Sequence, residues 1–428
     1  MQTNLESTFL IPESDDGLPG TGPIRRYQWM KETWQRRRST FADNKQESRG
    51  AVVFLGDSIT QGWKDDFEQD FGDLHVANRG ISGDTTRGML IRLQEDVLDL
   101  DPAGVVMLMG TNDLEEQATP ETIVGNIRLI IDSLHQHNQQ LPVVVCLVMP
   151  SSEVKKRPAD QIKRLNELIR DAVRGDARIT VLDTWTLFAT KSGDAIPAEF
   201  PDLLHPNRAG YLKWKQALLP IFATLGFVET QPDWFEVEAG FTSLFNGHDL
   251  TGWEYRPTPP KMRVGRERWL GRSPKGVVWP LVESRVALDQ AKQSPDGRYM
   301  ARNGRLIVAT PPEGRKIQQL WTTADYSQDF TLRLEFRATP NADSGVFLRQ
   351  PQSQVRDYIL AGPYKKLKRY RPQQWNELEV VVRDNVAHCT CNGEVIEAAL
   401  KMPESGPIGL EGDRGQIEYR RIRIKTDD

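Results

Sequence analysis

Between residue 51 and about residue 225, short Val-rich apolar runs alternate with longer amphipathic stretches, and this alternation constrains the fold more than any other feature of the chain. The runs are AVVFL (51–55), HVAN (75–78), VVMLM (105–109), VVVCLV (143–148) and ITVLD (179–183), each bounded by Gly, Asp, Asn or Pro. A run with no polar residue at alternate positions suits a strand covered on both faces, so these predict buried parallel strands. Amphipathic stretches near 86–99, 120–140, 159–174 and 208–225 predict the intervening helices, the second starting at Thr119, Pro120 and Glu121. Five strands alternating with helices predict the α/β class, a doubly wound sheet with helices on both faces. Residues 24–48, with Trp29, Trp34 and the run Arg36 to Arg38, predict a leading helix packed on this domain.

The alternation stops at ETQPDWFEVEAG (229–240). Beyond it the runs RLIVA (305–309), FTLRLEFRA (330–338), SGVFLRQ (344–350), NELEVVVRD (376–384) and YRRIRIK (419–425) alternate with period two and are separated by Gly, Pro, Asn and Asp. That pattern predicts an all-β antiparallel sandwich or jelly roll. The stretch 256–298, rich in Arg, Pro and Trp, yields no assignment. The expected organisation is an extension and helix over 1–50, an α/β domain over 51–228, a linker over 229–240 and a β-domain over 241–428.

Charge narrows the function classes. Lys and Arg number 55 against 59 Asp and Glu, a net charge of −4, which disfavours a general nucleic-acid binder. No apolar run approaches the roughly 18 residues of a membrane span. Three cysteines, none in a CxxC pair or beside a His at metal spacing, predict free thiols and no metal site. No signal peptide is visible in residues 1–20.

The segment FLGDSITQGW (54–63) puts Ser58 directly after the first predicted strand, where open α/β sheets build their sites. A serine there is most often a helix cap. Three further blocks change that reading: NRGISGD (78–84) after the second strand, GTND (110–113) after the third, and DLLHP (202–206) before the last helix. In this order they resemble the SGNH (GDSL) hydrolase superfamily, closest to its thioesterase/lysophospholipase and platelet-activating-factor-acetylhydrolase-like branch. The resemblance spans roughly 50–225 and implies a flavodoxin-like five-stranded parallel sheet. It implies Ser58 as nucleophile, His205 as general base and Asp202 as the carboxylate orienting the imidazole. It also implies an oxyanion hole made by the backbone N–H groups of Ser58 and Gly83 and the Asn112 amide. The chemistry needs these types: a serine hydroxyl needs a base, the base needs a fixed tautomer, and the developing oxyanion needs neutral donors. Asp57, Asp84 and Asp113 are expected to organise turns, and Arg79 and Arg87 to be solvated.

GFTSLFNGHDLTGW (240–253), FTLRLEFR (330–337), DSGVFLR (343–349), QQWNELEVVVRDN (373–385) and GPIGLEGDRGQIEYRRIRIK (406–425) resemble the 3-keto-disaccharide hydrolase family, formerly a domain of unknown function, whose fold is a concanavalin-like jelly roll. After Arg349 the chain departs from that family's pattern, and its final block lacks the usual His near Asp413 or Arg414. Trp321, Glu335, Arg337, Arg349 and Trp375 are the residues expected to hold a sugar by stacking and bidentate hydrogen bonds.

The expectation is therefore a serine esterase that removes O-acetyl groups from carbohydrate, with the C-terminal domain binding or processing the glycan. The alternatives are a lysophospholipase or ether-lipid acetylhydrolase, a bifunctional esterase and 3-keto-glycoside hydrolase, and a glycan-binding scaffold. No cofactor is called for, the partner is a small ester or carbohydrate ester, and family resemblance places the protein in the periplasm or outside the cell.

Overall fold

The computed structural model describes residues 9–427 except 65, 274, 315–317, 363 and 365. By its internal contacts the chain divides into two compact units, Met1–Leu219 and Pro220–Asp428.

The first unit is built on five strands: β1 Val52–Gly56, β2 Val76–Gly80, β3 Gly104–Leu108, β4 Val143–Cys146 and β5 Ile179–Leu182. All pair in parallel, in the order β2-β1-β3-β4-β5. The continuous apolar runs are buried on both faces as a parallel sheet requires, with Val53, Leu55, Val105, Met107, Val143 and Val145 in one core. Helices Pro120–His137, Ala159–Val173 and Arg208–Leu225 match the amphipathic stretches, and Thr119 Oγ1 accepts the Thr122 N–H at the start of the first. The stretch expected as one helix over 86–99 is instead Thr86–Ile91, Leu93–Asp96 and a 3-10 turn Leu98–Leu100, broken at Arg92 and Val97, whose backbones leave the helical region.

The leading helix runs Gln28–Asp43. Its Met30, Trp34 and Phe41 form a small core with Ile11 and Ile81, and buried Arg38 pairs with Asp96. Arg79 and Arg87 are buried rather than solvated. Arg79 donates to the Asp96 carbonyl under the Phe41 ring, and Arg87 donates to the Gly22 and Pro19 carbonyls and pairs with Asp15. The Arg79 head thus finds its acceptor at the end of the Leu93–Asp96 helix, and that of Arg87 finds its acceptors on the N-terminal segment.

The second unit is an antiparallel sandwich of an eight-stranded and a six-stranded sheet, consistent with a jelly roll. In the strand Phe330–Ala338, Leu332, Leu334 and Phe336 point into the core and face Val346, Leu348 and Leu410 of the other sheet's strands, while Arg333, Glu335 and Arg337 alternate outward. The unassigned stretch contains a helix, Pro260–Leu270, which buries none of its residues. Cys146, Cys389 and Cys391 are free and buried. Among the described residues no helix is long and apolar enough to cross a membrane.

Candidate active site

Strand order places the site. β1 lies between β2 and β3, so the loops leaving the carboxyl ends of these three neighbours converge where the connections change direction along the sheet. Ser58 follows β1, Gly83 follows β2 and Asn112 follows β3.

Asp57 accepts the Ile59 N–H at 2.9 Å and so fixes the turn that opens the helix Ser58–Gln61. The buried Tyr211 hydroxyl donates to the Ile59 carbonyl at 2.8 Å and steadies the same turn. From that position the Ser58 hydroxyl reaches His205 Nε2 at 2.9 Å. On the far side of the ring, His205 Nδ1 lies 2.8 Å from Asp202 Oδ2. An ionised carboxylate only accepts, so Nδ1 carries the proton and Nε2 is left as an acceptor for the serine hydroxyl.

Asp202 and His205 are three positions apart, and the backbone between them turns through Leu203 at φ 63°. That left-handed step, costly for a branched side chain, lets Asp202 Oδ1 accept the N–H groups of Leu204 (3.1 Å) and His205 (2.7 Å) while Oδ2 holds the ring. Partial burial pushes the Asp202 carboxyl upward, but these hydrogen bonds outweigh it and hold the group down at about 2. Asp202 is thus a carboxylate at neutral pH.

The oxyanion candidates lie on the segments that follow β1, β2 and β3. Ser58 opens a helix, so its N–H has no intrahelical acceptor. Gly83 has φ 84°, and a Cβ there would lie 2.4 Å from Trp29 Cη2 and 3.0 Å from Met30 Sδ. Only glycine fits, in conformation and in space. Asn112 is buried, and its Nδ2 donates to the Asp84 carbonyl at 2.9 Å, tying the third loop to the second.

Behind the site Asp57, Asp84 and Asp113 are fully buried, and desolvation raises their carboxyls to about 6, 7 and 6. Asp57 and Asp113 hold a turn and a helix start, as expected, whereas the Asp84 side chain goes to an arginine instead. Asp113 accepts the Thr86 N–H and hydroxyl, and Asp84 pairs with buried Arg92 at 2.8 Å.

Sequence reasoning missed the contribution of the N-terminal segment. Trp29 covers Gly83, and Arg25 reaches Asn112 Oδ1 at 3.2 Å, where Arg157 also arrives at 3.1 Å. Arg25 adjoins Arg26, and Arg157 follows Lys155 and Lys156; such basic pairs read as solvated, and no local spacing betrays partners this far away in sequence.

The five residues expected to hold a sugar are not one cluster. Glu335, Arg337 and Trp375 share the outer face of the eight-stranded sheet. There Glu335 binds Arg420 and Arg421, Arg337 binds Glu418, and the Trp375 ring lies 4.9 Å from the Arg337 guanidinium and 4.1 Å from that of Arg420. Trp321 belongs to the six-stranded sheet, beside Phe347 and over Gly409. Arg349 is buried and donates to Asn385 Oδ1 and to the carbonyls of Pro403 and Gln328, which commits its guanidinium to the fold.

Residues 54–213 match the GDSL-like lipase/acylhydrolase family. Over 188 residues the chain is 31% identical to the platelet-activating factor acetylhydrolase IB subunit alpha1 of Bos taurus, covering 43% of this chain and 80% of the relative. The human alpha1 subunit is 30% identical over the same span. The chain belongs to the GDSL-like acylhydrolases. It is accordingly an ester hydrolase. Residues 240–425 match the 3-keto-alpha-glucoside-1,2-lyase-like domain, so this acylhydrolase carries a second, sugar-related module. A GDSL-like lipase of Bacteroides thetaiotaomicron is 28% identical, covering 45% of this chain and 96% of that one with a TM-score of 0.39.

Proposed function

We propose that the protein is a serine esterase in which Ser58, His205 and Asp202 form the catalytic triad, and that it removes O-acetyl groups from carbohydrate. The observation that carries the proposal is the continuous relay from Ser58 Oγ through His205 to Asp202, with contacts of 2.9 and 2.8 Å.

In this reading Ser58 Oγ attacks the ester carbonyl as His205 Nε2 takes its proton. Asp202 keeps the ring in the required tautomer and stabilises the imidazolium. Negative charge moves to the former carbonyl oxygen, which the N–H groups of Ser58 and Gly83 and the Asn112 amide receive. Collapse expels the alcohol, which takes the proton from His205, and leaves acetyl-Ser58. Water, deprotonated by His205, then hydrolyses that ester and returns acetate and the free serine.

Two features support a short acyl group on a sugar. Trp29 crowds the Gly83 side of the site, and the esterase is fused to a module of a sugar-related family. The C-terminal module then binds or processes the glycan. A second reading is favoured by the acetylhydrolase relatives, namely an acetylated lipid as substrate. The two readings share the acetyl group and differ in the alcohol.

The test measures acetate released by the full chain from acetylated oligosaccharides, from an acetylated ether phospholipid, and from p-nitrophenyl esters of increasing length. Each buried methylene contributes about 0.8 kcal/mol, so an apolar groove raises kcat/KM steeply with chain length. Preference for the acetylated sugar and for acetyl over chains of about eight carbons is expected. Preference for the long chains or the phospholipid overturns the carbohydrate reading.

A further inference from the structure

A carboxamide has two ends of nearly equal size and opposite polarity. Asn112 can serve an oxyanion only with nitrogen facing it, since the flipped amide sets a carbonyl oxygen against developing negative charge. What fixes the orientation is on the other side of the group. Oδ1 accepts one N–H from Arg25 Nη1 (3.2 Å) and one from Arg157 Nη2 (3.1 Å), which fills both of its lone pairs. A guanidinium has no acceptor, so neither contact survives a flip. On Nδ2, one N–H goes to the Asp84 carbonyl at 2.9 Å, and the other has no acceptor among the described residues.

We propose that Arg25 and Arg157 are positioning residues of the esterase site, which lock the Asn112 amide so that its one uncommitted N–H stays aimed at the oxyanion. The inference rests on the assignment of Asn112 to the oxyanion hole. Both arginines are themselves fixed. Arg157 is buried, with Nε on the Thr111 carbonyl and hydroxyl, each at 3.0 Å, and Nη1 on the Lys155 carbonyl at 2.6 Å. Arg25 is buried too, with Nε on Glu116 at 2.7 Å and Nη2 on Glu115. Arg157 Nη2 also reaches Glu115 at 2.7 Å. Two guanidinium charges face two carboxylates, so the cluster projects little net field toward the substrate. Its effect runs through the orientation and polarisation of the amide.

The arrangement calls for Arg rather than Lys. A planar fork holds Asn112, a carbonyl and a carboxylate simultaneously, whereas an ammonium on a flexible stem does not fix those directions. It also gives the N-terminal segment a role: Arg25 joins it to the short helix Thr111–Glu115 that follows β3.

The test is a double-mutant cycle on the full chain with p-nitrophenyl acetate, with reactive sites counted by titration with a fluorophosphonate. Arg25→Met and Arg157→Met are each expected to lower kcat by about tenfold to a hundredfold, as losing a group that orients a functional side chain does, with KM within about twofold. In an Asn112→Ala background, itself slowed by about 10² to 10³ in kcat, neither change is expected to cost anything further. Should Arg157→Met not fold, Arg157→Lys replaces it, with the same lack of further loss over Asn112→Ala. Losses that multiply with that of Asn112→Ala, or an effect confined to KM, overturn the proposal and leave Asn112 in place. An unchanged kcat in Asn112→Ala overturns the oxyanion assignment itself.

Discussion

The two units hold the same kinds of side chain and use them in opposite ways. On the outer face of the eight-stranded sheet Glu335, Glu418, Arg337, Arg420 and Arg421 satisfy one another, and Trp375 lies against two of the guanidinium groups. At the strand ends of the first unit Arg25, Arg157, Glu115 and Glu116 are also paired, yet that pairing leaves donors open at Ser58, Gly83 and Asn112. The contrast follows from backbone geometry. On a sheet face, neighbouring side chains stand side by side and can neutralise each other laterally. At the carboxyl ends of parallel strands, the segments that follow carry donors with no strand beyond to accept them: two backbone N–H groups, at Ser58 and Gly83, and one side-chain amide, at Asn112.

The comparison can be broken at either end. The largest effect is expected for Asp202→Asn, which removes the acceptor that sets the His205 tautomer; kcat should fall by about 10⁴ with little change in KM. A loss below about tenfold removes Asp202 from the triad. Gly83→Ala comes next. It forces a side chain into φ 84° and against Trp29, and kcat is expected to fall by on the order of 10². Activity near that of the unmodified protein would take Gly83 out of the oxyanion hole.

A third prediction concerns pH. Burial raises the Asp113 carboxyl to about 6, above the roughly 4 of an unfolded chain, so the fold favours its protonated form. Between those values the folded state binds more protons than the unfolded one. The stabilising contribution is therefore complete below about pH 4 and is lost as pH rises through about 6. Asp113→Asn, which cannot ionise, should flatten the fall in Tm over that interval; an unchanged slope contradicts the assignment. The smallest effect on chemistry is expected for Trp375→Ala. It should lower stability by about 1 kcal/mol through its cation–π contacts and leave ester kcat within about twofold. A tenfold change in kcat would end the separation between an open site and a self-satisfied face.

What was legible in the sequence follows the same division. The five runs that became β1 to β5 are continuous and apolar because both faces are covered, and the strand-end blocks could be read because each carries a residue type that few positions require. Less was legible where one segment depends on a distant one. Arg25 and Arg157 meet Asn112 across 87 and 45 residues, and only the fold turns two basic runs into a clamp. Arg79 and Arg87 read as solvated in the sequence for the same reason, their acceptors lying on other segments. In the second unit Trp321 and Glu335 were grouped by type, but period-two alternation gives a residue's side of its own strand and not the sheet to which that strand belongs.

The central claim is that Ser58 is the nucleophile. The most direct measurement is intact-mass and peptide analysis of the full chain after reaction with a fluorophosphonate, in parallel with turnover of p-nitrophenyl acetate. The account predicts one adduct, on Ser58, formed in step with loss of activity, and neither adduct nor turnover in Ser58→Ala. An adduct on another residue, or turnover that persists in Ser58→Ala, contradicts it.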